Sequence, residues 1–330
     1  MIELKSTIKN IIKYNYIKQE KKQQTIHIGY GIDNNFARCC ATSIASFCIN
    51  NPQKNFYFHI VINDFSEINK QKMQLLAKQY KVNINLYEID ISLLEKYNLP
   101  TKTHWPISMY FRFILPLVLD SVDNLIYIDA DIFCLNNAND LFDIYLENNI
   151  IGAVAEPKEE YCKRLGLKNH LYFNSGLLII DIIKWNKYNT LEKLLYNIKN
   201  NPKIFQCPDQ DALNLILTKN IKYIPQKFNW FNWSNTWTKE TQKDIILIHF
   251  GSNPKPWHST WYINPHCNQY NINIYKNYEK LTPWKDEPLQ VPVKRQDIRC
   301  YSNWLIKHGK ILKGLKWYLK YLNTKFNKQK

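Results

Sequence analysis

Residues 125–135 read LIYIDADIFCL, an apolar stretch interrupted by Asp129 and Asp131. Two carboxylates one residue apart lie on the same side of an extended chain, so both can grip one cation where a strand leaves the core. Left beside a buried strand without such an ion, they repel each other and carry a heavy desolvation cost. An all-oxygen pair suits a hard divalent ion, Mg2+ or Mn2+, and the natural ligand of that ion is a diphosphate. The competing reading of a bare Asp-x-Asp is that one aspartate caps the next helix and the other faces water. No Gly-x-Gly-x-x-Gly follows the first predicted strand and no Gly-x-x-x-x-Gly-Lys-Ser/Thr occurs. Neither a dinucleotide fingerprint nor a P-loop is therefore available to hold phosphate.

Other segments accompany this one: IGYGIDNNF (28–36), SIASFCINNP (43–52), MYFRFILP (109–116), YFNSGLLIIDIIKW (172–185), PDQDALN (208–214), IHFGSNPKPWH (248–258) and TPW (282–284). In this order and spacing, from about residue 25 to 325, the chain resembles the family 8 retaining glycosyltransferases. Within them it is most similar to the bacterial enzymes that add α-linked glucose or galactose to the outer core of lipopolysaccharide. The resemblance implies a single GT-A type nucleotide-diphospho-sugar transferase fold, an α/β, Rossmann-like mixed sheet flanked by helices, with a C-terminal basic helical extension.

The resemblance also assigns residues. It implies Mn2+, with Mg2+ as the alternative, held by Asp129, Asp131 and His249; an imidazole beside two carboxylates moves the preference toward Mn2+. Lys255 matches the lysine that reaches the diphosphate and meets the growing charge of leaving UDP; taken alone, it reads as a surface lysine. Gly31, Asp33, Asn34, Asn35 and Phe36 match the nucleotide-binding edge, with Asp33 accepting from the uracil N–H. A helix N-cap formed by Asp33, Asn34 or Asn35 is the other reading, and the two are compatible. Arg112, Ala130, Glu156, Asn174 and Ser252, together with Asp129, complete the UDP-sugar site. Arg112 is expected against the donor sugar and phosphate, the alternative being a buried arginine paired to a structural acid. Glu156 stands where some relatives have aspartate; its alternative is a surface acid. The family usually has glycine three residues after the histidine, whereas here Gly251 is at +2 and Ser252 at +3, which leaves less room near the phosphates.

Asn174, Asp209 and Gln210 match residues at the donor-sugar hydroxyls and the anomeric carbon. Retention by double displacement needs a carboxylate beneath the sugar, but the matching position offers Gln210, a poor nucleophile. The expected reaction is a same-face substitution through an ion-paired, oxocarbenium-like state. In it the Gln210 amide stabilises positive charge and the diphosphate accepts the proton of the acceptor hydroxyl.

These side chains need a scaffold, and the sequence supplies one. Strands are predicted over 25–31, 56–62, 82–89 and 124–128, alternating with helices over 36–49, 66–80 and 107–119, the last helical up to Pro116. That alternation argues for a parallel sheet covered on both faces, with ligands beyond the carboxyl ends of its strands. The chain from about residue 171 completes the sheet and supplies an acceptor site. Aromatics at 228–237 (FNWFNWSNTW) suit either sugar C–H faces or an aromatic core. The expected division is a basic N-terminal segment (1–24), a catalytic domain (25–280) and a helical, basic, membrane-associating segment (281–330).

Composition sets the setting. With 330 residues, 45% of them hydrophobic, the chain can bury a large core, yet its longest apolar runs fall far short of the roughly 20 residues that cross a bilayer. The N-terminus lacks the layout of a secretory signal. Eight cysteines without a Cys-x-x-Cys read as reduced thiols of a cytosolic protein. Residues 301–330 hold eight lysines and no arginine, aspartate or glutamate, half of the net charge of +16. There Trp304, Leu305, His308, Ile311, Leu312, Leu315, Tyr318, Leu319 and Leu322 recur as one stripe of a helix. Such a basic amphipathic helix suits an anionic inner-membrane surface; packing on the body of the protein is the alternative. A nucleic-acid-binding protein, the rival class, would spread its basic residues over a groove within the fold, so no nucleic acid is expected. A glucan- or protein-priming transferase sharing the donor site is the rival enzyme. The expected partners are UDP-glucose or UDP-galactose and a lipooligosaccharide acceptor. The expected location is cytoplasmic, peripheral on the inner face of the cytoplasmic membrane of a Gram-negative bacterium.

Overall fold

Among the described residues the first nine strands along the chain are β1 (Ile8–Asn15), β2 (Thr25–Ile32), β3 (Asn55–Ile62), β4 (Asn83–Ile89), β5 (Asn124–Ile128), β6 (Ile132–Cys134), β7 (Ile151–Val154), β8 (Leu177–Asp181) and β9 (Ile221–Ile224). All but β6 form one eight-stranded sheet, ordered β1-β4-β3-β2-β5-β8-β7-β9. The structure is a computed structural model that describes residues 7–17, 25–95, 97, 99–101, 106–119, 121–156, 158–167, 171–201, 203–232 and 243–326.

The centre follows the predicted plan. β2, β3, β4 and β5 run parallel, and their near-continuous burial suits strands covered on both faces. The flanks add antiparallel pairs, β1 with β4 and β8 with both β5 and β7, which gives the mixed sheet that the resemblance implies. β1 arises from the lysine-rich N-terminal segment, where no strand is predicted. Its exposed Lys9 and Lys13 suit an edge strand, since edge lysines discourage further pairing. Strand order reverses between β2 and β5, and the ends of those two strands carry the Asp33 turn and the Asp129 turn. A crevice outside such a switch point is where open α/β sheets bind ligands.

Helices cover the faces. Ser66 caps the helix Glu67–Tyr80 through the Asn69 amide. The helix Ala37–Asn50 is buried from Ala37 to Cys48. It is laid against the chain around β6 by side chains three and four residues apart. Cys39 Sγ donates to the Ala130 carbonyl, Ser43 Oγ to Ile132 and Asn50 Nδ2 to Cys134, while Ser46 Oγ accepts from the Cys134 amide. The predicted stop at Pro116 does not occur. A 3-10 turn over Ile107–Tyr110 leads into the α-helix Phe111–Val118 with Pro116 inside it, and the helix ends two residues later, within the turn that an interior proline weakens.

The chain divides into two compact units, Met1–Trp230 with Thr238–His249, and Phe231–Trp237 with Phe250–Lys330. The whole sheet belongs to the first. The second buries Trp257, Tyr275 and Trp284 around the helix Gln269–Glu279. It ends in two helices, Arg295–Lys307 and Ile311–Phe326, instead of the single helix predicted. Gly309, at φ +74°, breaks the stripe. Beyond it the chain folds back, with Tyr301 edge-on to Trp317 and Ser302 Oγ donating to the Gly314 carbonyl. Leu305 is therefore buried, while Leu312 (85% exposed) and Leu319 (61%) remain at the surface among lysines. Among the described residues no helix is long and apolar enough to cross a membrane. All eight cysteines are free thiols.

Candidate active site

Asp129 is the first residue after β5. Its amide donates to the Gly176 carbonyl at 2.7 Å, and its own carbonyl accepts from Ile132 at 3.0 Å. Asp129–Ile132 is thus a turn, so the two carboxylates converge through a bend and not through the strand alternation assumed from sequence. The short strand Leu247–His249 pairs antiparallel with β6, setting His249 opposite Ile132, one residue from Asp131. One ligand atom from each of Asp129, Asp131 and His249 lies within 4.8 Å of the others, and His249 Nε2 is 3.4 Å from Asp131 Oδ1. Two carboxylates and an imidazole, with Asp131 and His249 buried, make a donor set that fits Mn2+ or Mg2+.

Buried Arg112, from the helix Phe111–Val118, ties this corner to the next. Nη2 donates to Asp129 Oδ1 at 2.8 Å and Nη1 to the Ser175 carbonyl at 2.8 Å, while Nη1 lies 3.2 Å from Asp209 Oδ2. Burial opposes its charge, but the carboxylates of Asp129 and Asp209 outweigh that and hold the guanidinium above its usual range. The acids it pairs with, Asp129 and Asp209, are two of those expected at the site. Asp129 Oδ1 also accepts from the Tyr127 hydroxyl at 2.9 Å. Burial pushes the Asp209 carboxyl up, against the pull of Arg112. Asp129, Asp131 and Asp209 with one Arg112 sum to two negative charges, a further reason for a divalent cation.

Gln210 and Asn174 meet in the same network. Gln210 Oε1 accepts from the Ser175 amide at 2.9 Å and from Asn174 Nδ2 at 3.0 Å, and its Nε2 donates to the Tyr172 hydroxyl at 3.1 Å. Glu156 is buried, not a surface acid; Lys158 reaches its Oε1 at 2.6 Å, and Asn174 donates to its Oε2 at 3.3 Å. Two neighbours in PDQDALN do the positioning. Asp211, fully buried, takes both Arg164 Nη atoms at 2.9 and 3.0 Å, the Tyr172 hydroxyl at 2.7 Å, and the amides of Gln206 and Cys207. Asn214 accepts from the Phe173 amide at 2.8 Å and donates to its carbonyl at 2.9 Å. Asp211 and Asn214 were present in the quoted motif but had no assigned role; their signal is the spacing of 210, 211 and 214 on one helix.

The nucleotide edge is built as the capping reading has it. Asp33 Oδ1 accepts from the amides of Asn35 (2.8 Å) and Phe36 (3.2 Å), and burial pushes its carboxyl up against those donors. The Asn34 side chain is turned to Ser66 N (2.9 Å) and Asn69 Nδ2 (2.8 Å), so it fastens the next helix. Gly31 lies against the helix Phe111–Val118: a Cβ there would be 2.6 Å from Phe111 Cβ. Ala130 is buried, its carbonyl taken by Cys39. Ser252 and Lys255 belong to the second unit. There Asn264 Nδ2 donates to Ser252 Oγ at 2.9 Å, and Lys255 is buried with its Nζ on the Phe250 carbonyl, unlike a surface lysine. Of the aromatic run, residues 233–237 lie outside the described residues.

The chain is similar to known proteins over most of its length. The profile described as Glycosyl transferase family 8 matches residues 27–261, and Glycosyl transferase family 8 C-terminal matches 271–325. The chain is 30% identical to a lipopolysaccharide 1,3-galactosyltransferase of Salmonella typhimurium over 334 residues, 96% of each chain. It is also 30% identical to a lipopolysaccharide 1,2-glucosyltransferase of Escherichia coli over 317 residues, 91% of each. Its fold resembles the galactosyltransferase LgtC solved with donor and acceptor sugar analogues, at a TM-score of 0.67 and 21% identity, covering 78% of this chain and 96% of that one.

Proposed function

The chain belongs to glycosyl transferase family 8, and from that premise we propose that it moves glucose or galactose from a UDP-sugar to the core oligosaccharide of lipopolysaccharide, with Mn2+ and with retention to an α-linkage. The observation that carries this reading is the convergence of Asp129, Asp131 and His249 beside an Arg112 that binds both Asp129 and Asp209. Those three residues would hold the cation, which when bound supplies positive charge to the departing UDP. Arg112 and Tyr127 fix Asp129 through Oδ1, which sets the direction of Oδ2. Gln210 is held on its oxygen by Ser175 and Asn174, so it offers a fixed carbonyl dipole and no nucleophile. Asp209 is engaged with Arg112. Neither residue is set for covalent attack, which favours same-face substitution. A glycosylated Asp209 or Gln210 trapped by mass spectrometry during turnover would contradict this.

The test of the whole reading is incubation of the protein with a panel of UDP-sugars and truncated lipooligosaccharide acceptors in Mn2+, with product linkage read by NMR. Transfer that disappears on chelation and in Asp131→Asn is the expected result; transfer undiminished by either sinks it. Residues 25–280 would carry catalysis and residues 281–330 attachment to the anionic inner face of a Gram-negative cytoplasmic membrane. Exposed Leu312 and Leu319 among lysines support that attachment. The double variant L312D/L319D should lose co-sedimentation with anionic vesicles while turning over a soluble acceptor normally.

A further inference from the structure

A single backbone amide assigns every donor in the hydrogen-bond chain that ends on His249. Gly176 N–H donates to Asn174 Oδ1 at 2.9 Å, which identifies that atom as the oxygen. The other end of the Asn174 amide agrees: Nδ2 faces the Glu156 carboxylate at 3.3 Å and Gln210 Oε1 at 3.0 Å, the latter an oxygen because Ser175 N–H donates to it. Asn229, fully buried, lies 2.8 Å from Asn174 Oδ1 and must present its Nδ2 there. Its Oδ1 is thereby turned to His249 Nδ1 at 2.9 Å. An amide oxygen only accepts, so Nδ1 carries the proton. The lone pair of the neutral ring then belongs to Nε2, the nitrogen 3.4 Å from Asp131 Oδ1.

We propose that Asn229 is a positioning residue that fixes the Nδ1-protonated tautomer of His249 and turns a ligating Nε2 toward Asp129 and Asp131. The proposal rests on the reading of those three residues as a cation site. A free neutral imidazole favours the opposite tautomer, with its proton on Nε2, so without Asn229 the ring would present N–H to the cation position. An outer partner of this kind sets both ring orientation and ligand basicity. Residue 229 has no apparent chemistry in the sequence because it lies in the irregular stretch between Phe228 and Trp230.

The test uses the full-length protein labelled with 15N-histidine, free of metal and at alkaline pH, with His249 assigned through His249→Gln. Long-range 1H–15N spectra should show the wild-type ring protonated on Nδ1. Asn229→Ala should move it toward the Nε2–H form and weaken Mn2+ binding, followed by electron paramagnetic resonance, about 10–100-fold. Asn229→Asp, whose carboxylate accepts from Nδ1–H, should keep the tautomer. An Nε2–H ring in the wild type overturns the proposal without any variant. So does an Asn229→Ala protein that keeps both the Nδ1–H ring and the wild-type Mn2+ affinity. A wild-type protein that binds no Mn2+ overturns the cation reading instead, and the metal-free spectra still decide the role of Asn229.

Discussion

At Gly176 a methyl group would have no room, and its neighbours are groups of the proposed cation and sugar site. A Cβ would come within 2.7 Å of His249 Cε1, 2.9 Å of Asn174 Oδ1 and 3.0 Å of Asp129 Oδ2. Those side chains must shift to admit it, and each belongs to the proposed cation and sugar network. Gly176→Ala should therefore lower kcat and Mn2+ affinity by at least about tenfold, since small displacements of reacting groups are costly in rate, with little loss of Tm. Gly31→Ala makes the opposite prediction. Its Cβ would strike Phe111 Cβ at 2.6 Å and the Ser108 carbonyl at 3.2 Å, atoms of the scaffold. Overpacking there should cost about 1–3 kcal/mol, read as a lower Tm, while the surviving folded protein keeps its Mn2+ affinity. Equal profiles for the two variants would show that the distinction between site glycine and packing glycine is wrong.

At the scale of elements, the helix Pro208–Leu217 is placed by a buried charge as well as by the apolar packing of Ala212, Leu213 and Leu217. Asp211 is wholly buried at its first turn, where Arg164, the Tyr172 hydroxyl and two backbone amides converge on it. Removing Arg164 leaves that carboxylate buried without its counter-charge, so Arg164→Leu should destabilise by roughly 3 kcal/mol in urea unfolding. It should also lower kcat, because Gln210 precedes Asp211 on the same turn; unchanged stability would refute the role. The sequence made some of these elements legible and not others. The β2, β3 and β5 runs and the helix over 66–80 are local signals and were readable almost to the residue. The Asp129 and Asp131 pair stood out because two acids break an apolar run. β1 was not readable, since an edge strand only half-buried on one side keeps its lysines in water and looks like a charged tail. Nor was the 39, 43, 46 and 50 stripe, because those small polar residues make sense only once the backbone of residues 130–134 lies against them. The tail stripe was read correctly as apolar but as one helix; Gly309 between two helical halves carried the missing turn.

For the whole molecule, stability should depend on acidity through a group of rings far from the cation site. His27 Nδ1 and His59 Nε2 lie 2.9 Å apart across β2 and β3, and His59 Nδ1 is 2.9 Å from the Tyr87 hydroxyl on β4. Tyr57 stacks on His59 with ring centres 4.7 Å apart and donates to Asn85, so the groups facing the pair are neutral. Burial, aided by His27, pushes the His59 imidazole down to about 3, and burial lowers His27 as well. The unfolded chain titrates near 6.5. Between those values it binds protons that the folded sheet refuses, so stability rises with pH across this window and falls as pH drops from about 6.5 toward 3. One refused proton corresponds to a slope of about 1.4 kcal/mol per pH unit. His59→Gln should remove about that much slope between pH 4.5 and 6 in denaturant unfolding, even if its baseline stability is lower. An unchanged slope would mean that the folded sheet accepts the proton, and that the ring stack tolerates charge where its neighbours offer none.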